Sequence, residues 1–155
     1  MNLTIILTGL LVLSFLLLPF FLTHFSRIKK ESQLITELQQ YASQHQSSIT
    51  EYETGSDFAM GLDEQKNQLF FVKHNKAGND QQHIDINQYR RCKVNKQSRP
   101  LGGKSNNGMV TELLHLDFYA DNAKNKSLRL YDEKINLHLS GELQFAERWA
   151  KKING

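Results

Sequence analysis

The chain has 155 residues, one domain on the usual expectation of about 100–200 residues per domain, which argues against an enzyme with separate cofactor and substrate halves. Apolar residues make up 39% and charged residues 23%, with a net charge of +3 and a mean hydropathy of −0.50. These averages conceal an uneven distribution, because 17 of the first 25 residues are apolar and the first charge falls at Arg27.

Leu3 to Leu22, LTIILTGLLVLSFLLLPFFL, is a run of 20 residues without a charge. At about 1.5 Å per residue it matches the roughly 30 Å hydrocarbon core of a bilayer. A secretory signal would need a positive n-region, a shorter apolar stretch and a small-residue cleavage site. None of these is visible, so residues 1–25 are expected to form a retained transmembrane anchor. Arg27, Lys29 and Lys30 follow it directly, which predicts a single-pass inner-membrane protein with its N-terminus outside and its C-terminal domain in the cytoplasm. One unpaired cysteine, Cys92, suits a reducing compartment. Pro19 would kink or end the span.

Residues 26–47 lack Gly and Pro and carry Ile28, Leu34, Ile35, Leu38, Tyr41 and Ala42 at helical spacing. They predict a juxtamembrane or stalk helix that lies against the domain following it. From residue 48 the pattern turns to alternation, with strands expected at Asp57–Leu62, Gln68–His74, Gln82–Ile86, Tyr89–Lys96, Val110–Tyr119, Ser127–Tyr131 and Ile135–Leu139. The polar clusters at 63–67, 75–80 and 121–126 read as hairpin turns, giving an antiparallel meander. Leu114, Leu116 and Phe118 alternate with His115, Asp117 and Tyr119, as in a sheet wet on one face. Leu143, Ala146, Trp149 or Ala150, and Ile153 recur at three- and four-residue steps, so a C-terminal amphipathic helix should cover the sheet.

The expected fold is therefore α+β: an N-terminal transmembrane helix and stalk helix, then a small antiparallel sheet or barrel of about seven strands over 48–155 with a C-terminal capping helix. FAMGLDEQKNQLFFVK followed by IDINQYRRCKVNK, together with the ending LQFAERWAKKI, resembles the pleckstrin-homology-like superfold, including its bacterial versions, over residues 52–153. That resemblance implies a binding or scaffolding module and no chemistry. Its lipid-binding members usually carry basic residues between the first two strands, where this chain has DEQKN.

Between Ile86 and Thr111 stand Arg90, Arg91, Lys93, Lys96, Arg99 and Lys104 with no acid, so this window holds +6. It predicts contact with a partner protein or with anionic lipid headgroups. Nucleic acid is not expected, since Tyr89 is the window's one stacking aromatic. Gly103, Lys104 and Ser105 match the end of a phosphate-binding loop, but its first glycine position is Ser98 and no strand-loop-helix context surrounds it. His83 with Asp85 and His115 with Asp117 each lie two apart on a strand and could in principle meet around a divalent ion. No HExxH or CxxC accompanies them, and no metal or cofactor is expected. Cys92, between Arg91 and Lys93, would have a lowered pKa if exposed and would be a small filler if buried. The sequence thus predicts a non-catalytic accessory or assembly subunit of a membrane complex, bound to other integral membrane subunits. The alternatives are a sensor of anionic lipid surfaces and a metal-dependent enzyme.

Overall fold

The computed structural model describes residues 3–75, 78–100, 108–121, 124–136 and 138–155, with side chains of the first helix described at 10, 11, 13–15 and from Ile28 onward. Helix α1 (Leu3–Gln44) leads into strands β1 (Glu51–Thr54), β2 (Phe58–Asp63), β3 (Gln68–Asn75) and β4 (Gly78–Asp85). A 3-10 turn at Ile86–Gln88 connects these to β5 (Arg91–Pro100), β6 (Met109–Tyr119) and β7 (Lys126–Asp132), and helix α2 (Glu142–Asn154) follows. The strands form two antiparallel sheets, each in sequence order: β1-β2-β3-β4 and β5-β6-β7.

Two features of the expected fold are corrected. The seven strands do not make one continuous sheet or barrel but divide into sheets of four and three at the 3-10 turn. There Asp85 accepts from the Asn87 backbone N–H at 3.1 Å and turns the chain out of the first sheet. The second correction concerns the membrane anchor. Among the described residues no helix is long and apolar enough to cross a membrane, and most side chains of the Leu3–Leu22 run lie outside the described residues. From Ile28 the helix carries Lys29, Lys30, Glu31 and Glu37, and it spends Leu34, Leu38 and Ala42 on the protein's own sheet. Upstream, Leu10, Leu11, Leu13 and Phe15 are exposed. The single-pass topology, the orientation and the inner-membrane location rested on that span and are not supported.

Individual strands also differ from expectation. The Ile135–Leu139 strand is replaced by a turn, because the Asp132 carbonyl accepts from the Ile135 and Asn136 N–H groups and its carboxylate from that of Lys134; Leu137 lies outside the described residues. β1, by contrast, has no apolar signature, since Glu51 and Glu53 occupy it.

The two central strands of the first sheet, β2 and β3, are covered on both faces. Phe58, Met60, Leu62, Leu69 and Phe71 face the second sheet and α2, joining Leu114, Leu116, Phe118, Leu128, Leu130, Phe145 and Trp149 in the main core. Ala59, Phe70 and Val72 face the other way and meet Leu34, Leu38 and Ala42 of α1. Helix α1 comes close because β2 offers small residues there. A Cβ on Gly61 would sit 2.9 Å from Ile49 and 3.0 Å from Leu38. The helix then stops in a hydrogen-bonded C-terminal motif in which Ser47 N–H donates to Ala42 and Gln46 N–H to Ser43, with Gln46 at φ 56 in the position glycine usually takes.

Lys73 ties the two sheets together. Its buried ammonium donates to the Leu130 carbonyl at 2.9 Å and the Arg129 carbonyl at 3.3 Å and pairs with Asp57 at 3.4 Å. Helix α2 lies across the first strand of each sheet. Trp149 Nε1 donates to Glu53 at 3.0 Å, Arg148 and Lys152 pair with Glu53 and Glu51, and Asn154 reaches Cys92 in β5.

Candidate functional site

The alternation of β5, RCKVNKQSRP, buries Cys92 and half-buries Val94 while exposing Arg91, Lys93, Asn95 and Gln97. Register places Lys93 opposite Asp117 and Asn95 opposite His115 on β6; Asp117 in turn faces Ser127 and His115 faces Arg129 on β7. These polar residues share the face of the second sheet opposite its buried Leu114, Leu116 and Phe118, and His115, Ser127 and Arg129 line a cavity of about 340 Å³ there with Lys73, Asp80 and Gln82 of the first sheet.

A short hydrogen-bond chain organises this face. Asp117 accepts from Asn95 Nδ2 at 2.9 Å and from the Ser127 hydroxyl at 2.6 Å, and His115 Nδ1 lies 3.0 Å from that hydroxyl. Since the Ser127 hydrogen is directed to the carboxylate, His115 Nδ1 carries a hydrogen and donates to Ser127, which leaves Nε2 with its lone pair. Burial lowers the His115 pKa, aided by Arg129 and Lys73 and opposed by Asp117 and Asp132. The order Asp, Ser, His is not that of an activated nucleophile, because the hydroxyl donates to the acid instead of to the imidazole.

The six basic residues separate into three kinds. Arg90 pairs with Asp121 at 3.5 Å, and Arg99 with Glu133 at 2.7 Å and Glu112 at 3.1 Å. Lys104 lies outside the described residues, as does the Gly103-Lys104-Ser105 stretch. Arg91, Lys93 and Lys96 are exposed and make no ion pair among the described residues. A shallow depression of about 360 Å³ lined by Arg90, Arg91, Lys93, Tyr119 and Asp121 marks one end of the strand.

The proposed metal ligands do not converge. His83 points to the α1 side of the first sheet, its ring 4.9 Å from that of Phe70 and 4.5 Å from that of His45. Asp85 is engaged by Asn87 and Gln88 at the 3-10 turn, while His115 and Asp117 lie on the second sheet. Among the described residues no group of three or more His, Cys, Asp or Glu is placed to hold a metal ion. Cys92 is 2% exposed, and burial, with Asp117 adding to it, pushes its thiol up to about 12. The flanking cations point outward and leave it an unreactive core filler.

A groove of about 780 Å³ runs between α1, the end of β1 and the start of α2. Its carboxylates are occupied: Glu31 by Thr54, Glu53 by Trp149 and Arg148, and Glu142 by Ser56 and the Ser140 N–H.

Sequence reasoning located Arg91, Lys93, Lys96, His115 and Asp117 but missed two residues that shape the surface. Ser127 carried no signal beyond its strand position. Asn154 Nδ2 donates to the Cys92 carbonyl and its Oδ1 accepts from the Cys92 N–H, both at 2.8 Å. Only the three-dimensional meeting of α2 with β5 shows that pair of bonds. No family model, no curated protein and no solved structure matches the chain.

Proposed function

We propose that the chain is a non-catalytic docking module, a scaffold or accessory subunit that binds an acidic surface of a partner protein through β5. The observation that carries this reading is the contrast along β5 and its start: Arg90 and Arg99 are paired with neighbouring acids, whereas Arg91 and Lys93 on the outer face, and Lys96 on the opposite side of the strand, are exposed and make no ion pair among the described residues. Exposed cations left without partners raise the rate and specificity of encounter with a complementary surface. The pleckstrin-homology-like superfold that residues 52–153 resemble implies binding without chemistry, which supports the same reading.

A photo-crosslinking residue at Asn95 of the full chain, placed in its native cells, tests the proposal against the same residue at Glu147 on the exposed side of α2. The expected result is a discrete protein adduct from position 95 that disappears with Arg91→Glu plus Lys93→Glu. An adduct unaffected by charge reversal would overturn the reading. So would retention of the purified chain on anionic vesicles with no protein adduct.

A further inference from the structure

β5 is an edge strand of its sheet, and the direction of its free backbone groups can be read from its ends. At Cys92 both the N–H and the C=O are taken by the Asn154 side-chain amide, so Cys92 directs its peptide groups away from β6. Alternation in an antiparallel ladder then turns Arg91, Lys93 and Asn95 toward β6, and Val94 and Lys96 outward. At the other end the ladder slips at Gln97/Ser98 and the strand closes on Pro100, which has no N–H to offer. The edge is therefore blocked at one end by an amide that imitates a neighbouring strand and at the other by proline. Between them, among the described residues, the backbone of Val94 and Lys96 makes no hydrogen bond outside the strand ladder.

We infer that this open stretch of β5 is a β-strand acceptor for an extended acidic segment of the partner protein, an inference that rests on the docking reading above. Two outward residues present two donors and two acceptors, enough to register a segment of about five residues at roughly 3.3 Å each. Arg91 and Lys93 project to the outer face of β5 and Lys96 to the opposite face, so an acid on either face of the incoming strand would meet a cation. The same charges disfavour a second copy of this chain as the occupant, because two β5 edges would bring Arg91, Lys93 and Lys96 of both copies to one junction with no acid between Ile86 and Thr111 to offset them.

Amide hydrogen exchange of the full chain tests the inference, with three synthetic probes: an alternating Glu/Val peptide, the same peptide N-methylated at every second residue, and a Glu-rich helical peptide. With the unmodified peptide at about a hundredfold excess over its Kd, exchange at Val94 and Lys96 should slow about 100-fold. The Lys93 and Asn95 amides, already in the ladder, should not change, and the N-methylated peptide should have no effect. Binding of all three peptides without slowing at Val94 and Lys96 overturns the edge mode and leaves charge-driven docking standing. Failure of every acidic peptide to bind overturns both. Lys96→Pro, which removes an outward donor without touching the ladder, should abolish the slowing at Val94, and a variant that bound the peptide unchanged would count against the inference.

Discussion

The two sheets have the same antiparallel construction and opposite surroundings. β2 and β3 of the first sheet are buried on both faces, between the core and α1. β5, β6 and β7 bury one face and leave the other to His115, Asp117, Ser127, Arg129 and the cations Arg91 and Lys93. A sheet with two apolar faces has no side chain to spare, so a substitution there is felt as stability. A sheet with one wet face can carry recognition at little cost to the fold. The first sheet with its helix is thus the support, and the second presents the surface.

That division can be broken most directly at Phe70, which is fully buried between α1 and the sheet. Phe70→Ala is expected to cost about 3–5 kcal/mol in denaturant unfolding. A loss under about 1 kcal/mol, the range of surface sites, would mean that α1 is not part of the folded unit. Gly61→Ala should cost about 1–3 kcal/mol by forcing Ile49 and Leu38 apart. A neutral Tm would show that the helix can shift outward freely.

The third test uses acid. Burial lowers the His83 pKa, with His45 and Lys126 adding to it and Asp85 opposing. A histidine whose folded pKa lies below its unfolded value stabilises the protein above the ordinary value of 6.5 and loses that contribution as the pH falls through the folded value. The melting temperature should therefore drop on acidification below about pH 6.5, and His83→Gln should flatten part of the drop. An unchanged profile in the variant would remove His83 from the account, and His115, lowered in the same direction, would be examined by the same substitution. The smallest effect is expected on the wet face: Lys93→Ala should change stability by less than about 0.5 kcal/mol while weakening the charge-dependent contact. A large stability loss there would erase the distinction between the sheets.

Legibility in the sequence followed the same division. β6 could be read directly, since Leu114, Leu116 and Phe118 alternate with polar residues and only one of its faces is buried. β2 and β3 showed their strand character as apolar runs, but nothing in FAMGLD or QLFFVK said that the helix ending at Gln44 would cover their second face. The stripe at Leu34, Leu38 and Ala42 had the right period, and only packing reveals its partner. The +6 window was visible as a count, yet its chemistry depended on which cations met acids. Glu112, Asp121 and Glu133, the partners of Arg99 and Arg90, stand outside the window in sequence and beside it in space. Glu51 and Glu53 concealed β1 because their role is to receive α2, a contact formed by residues at the far end of the chain. The apolar run at Leu3–Leu22 shows the reverse limit: length and hydropathy predicted a span, and among the described residues no such helix is present.

The bridge from α2 to β1 also sets an order in time. Trp149 and Glu53 are 96 residues apart, and a ribosome adding about 5–20 residues per second needs roughly 5–20 s to span that interval. Throughout that time β1 is a nascent edge with no cover. The two glutamates that later hold Arg148, Trp149 and Lys152 meanwhile keep the strand too charged to pair with another chain, so the same carboxylates act first as a guard during synthesis and then as the clasp of the finished domain.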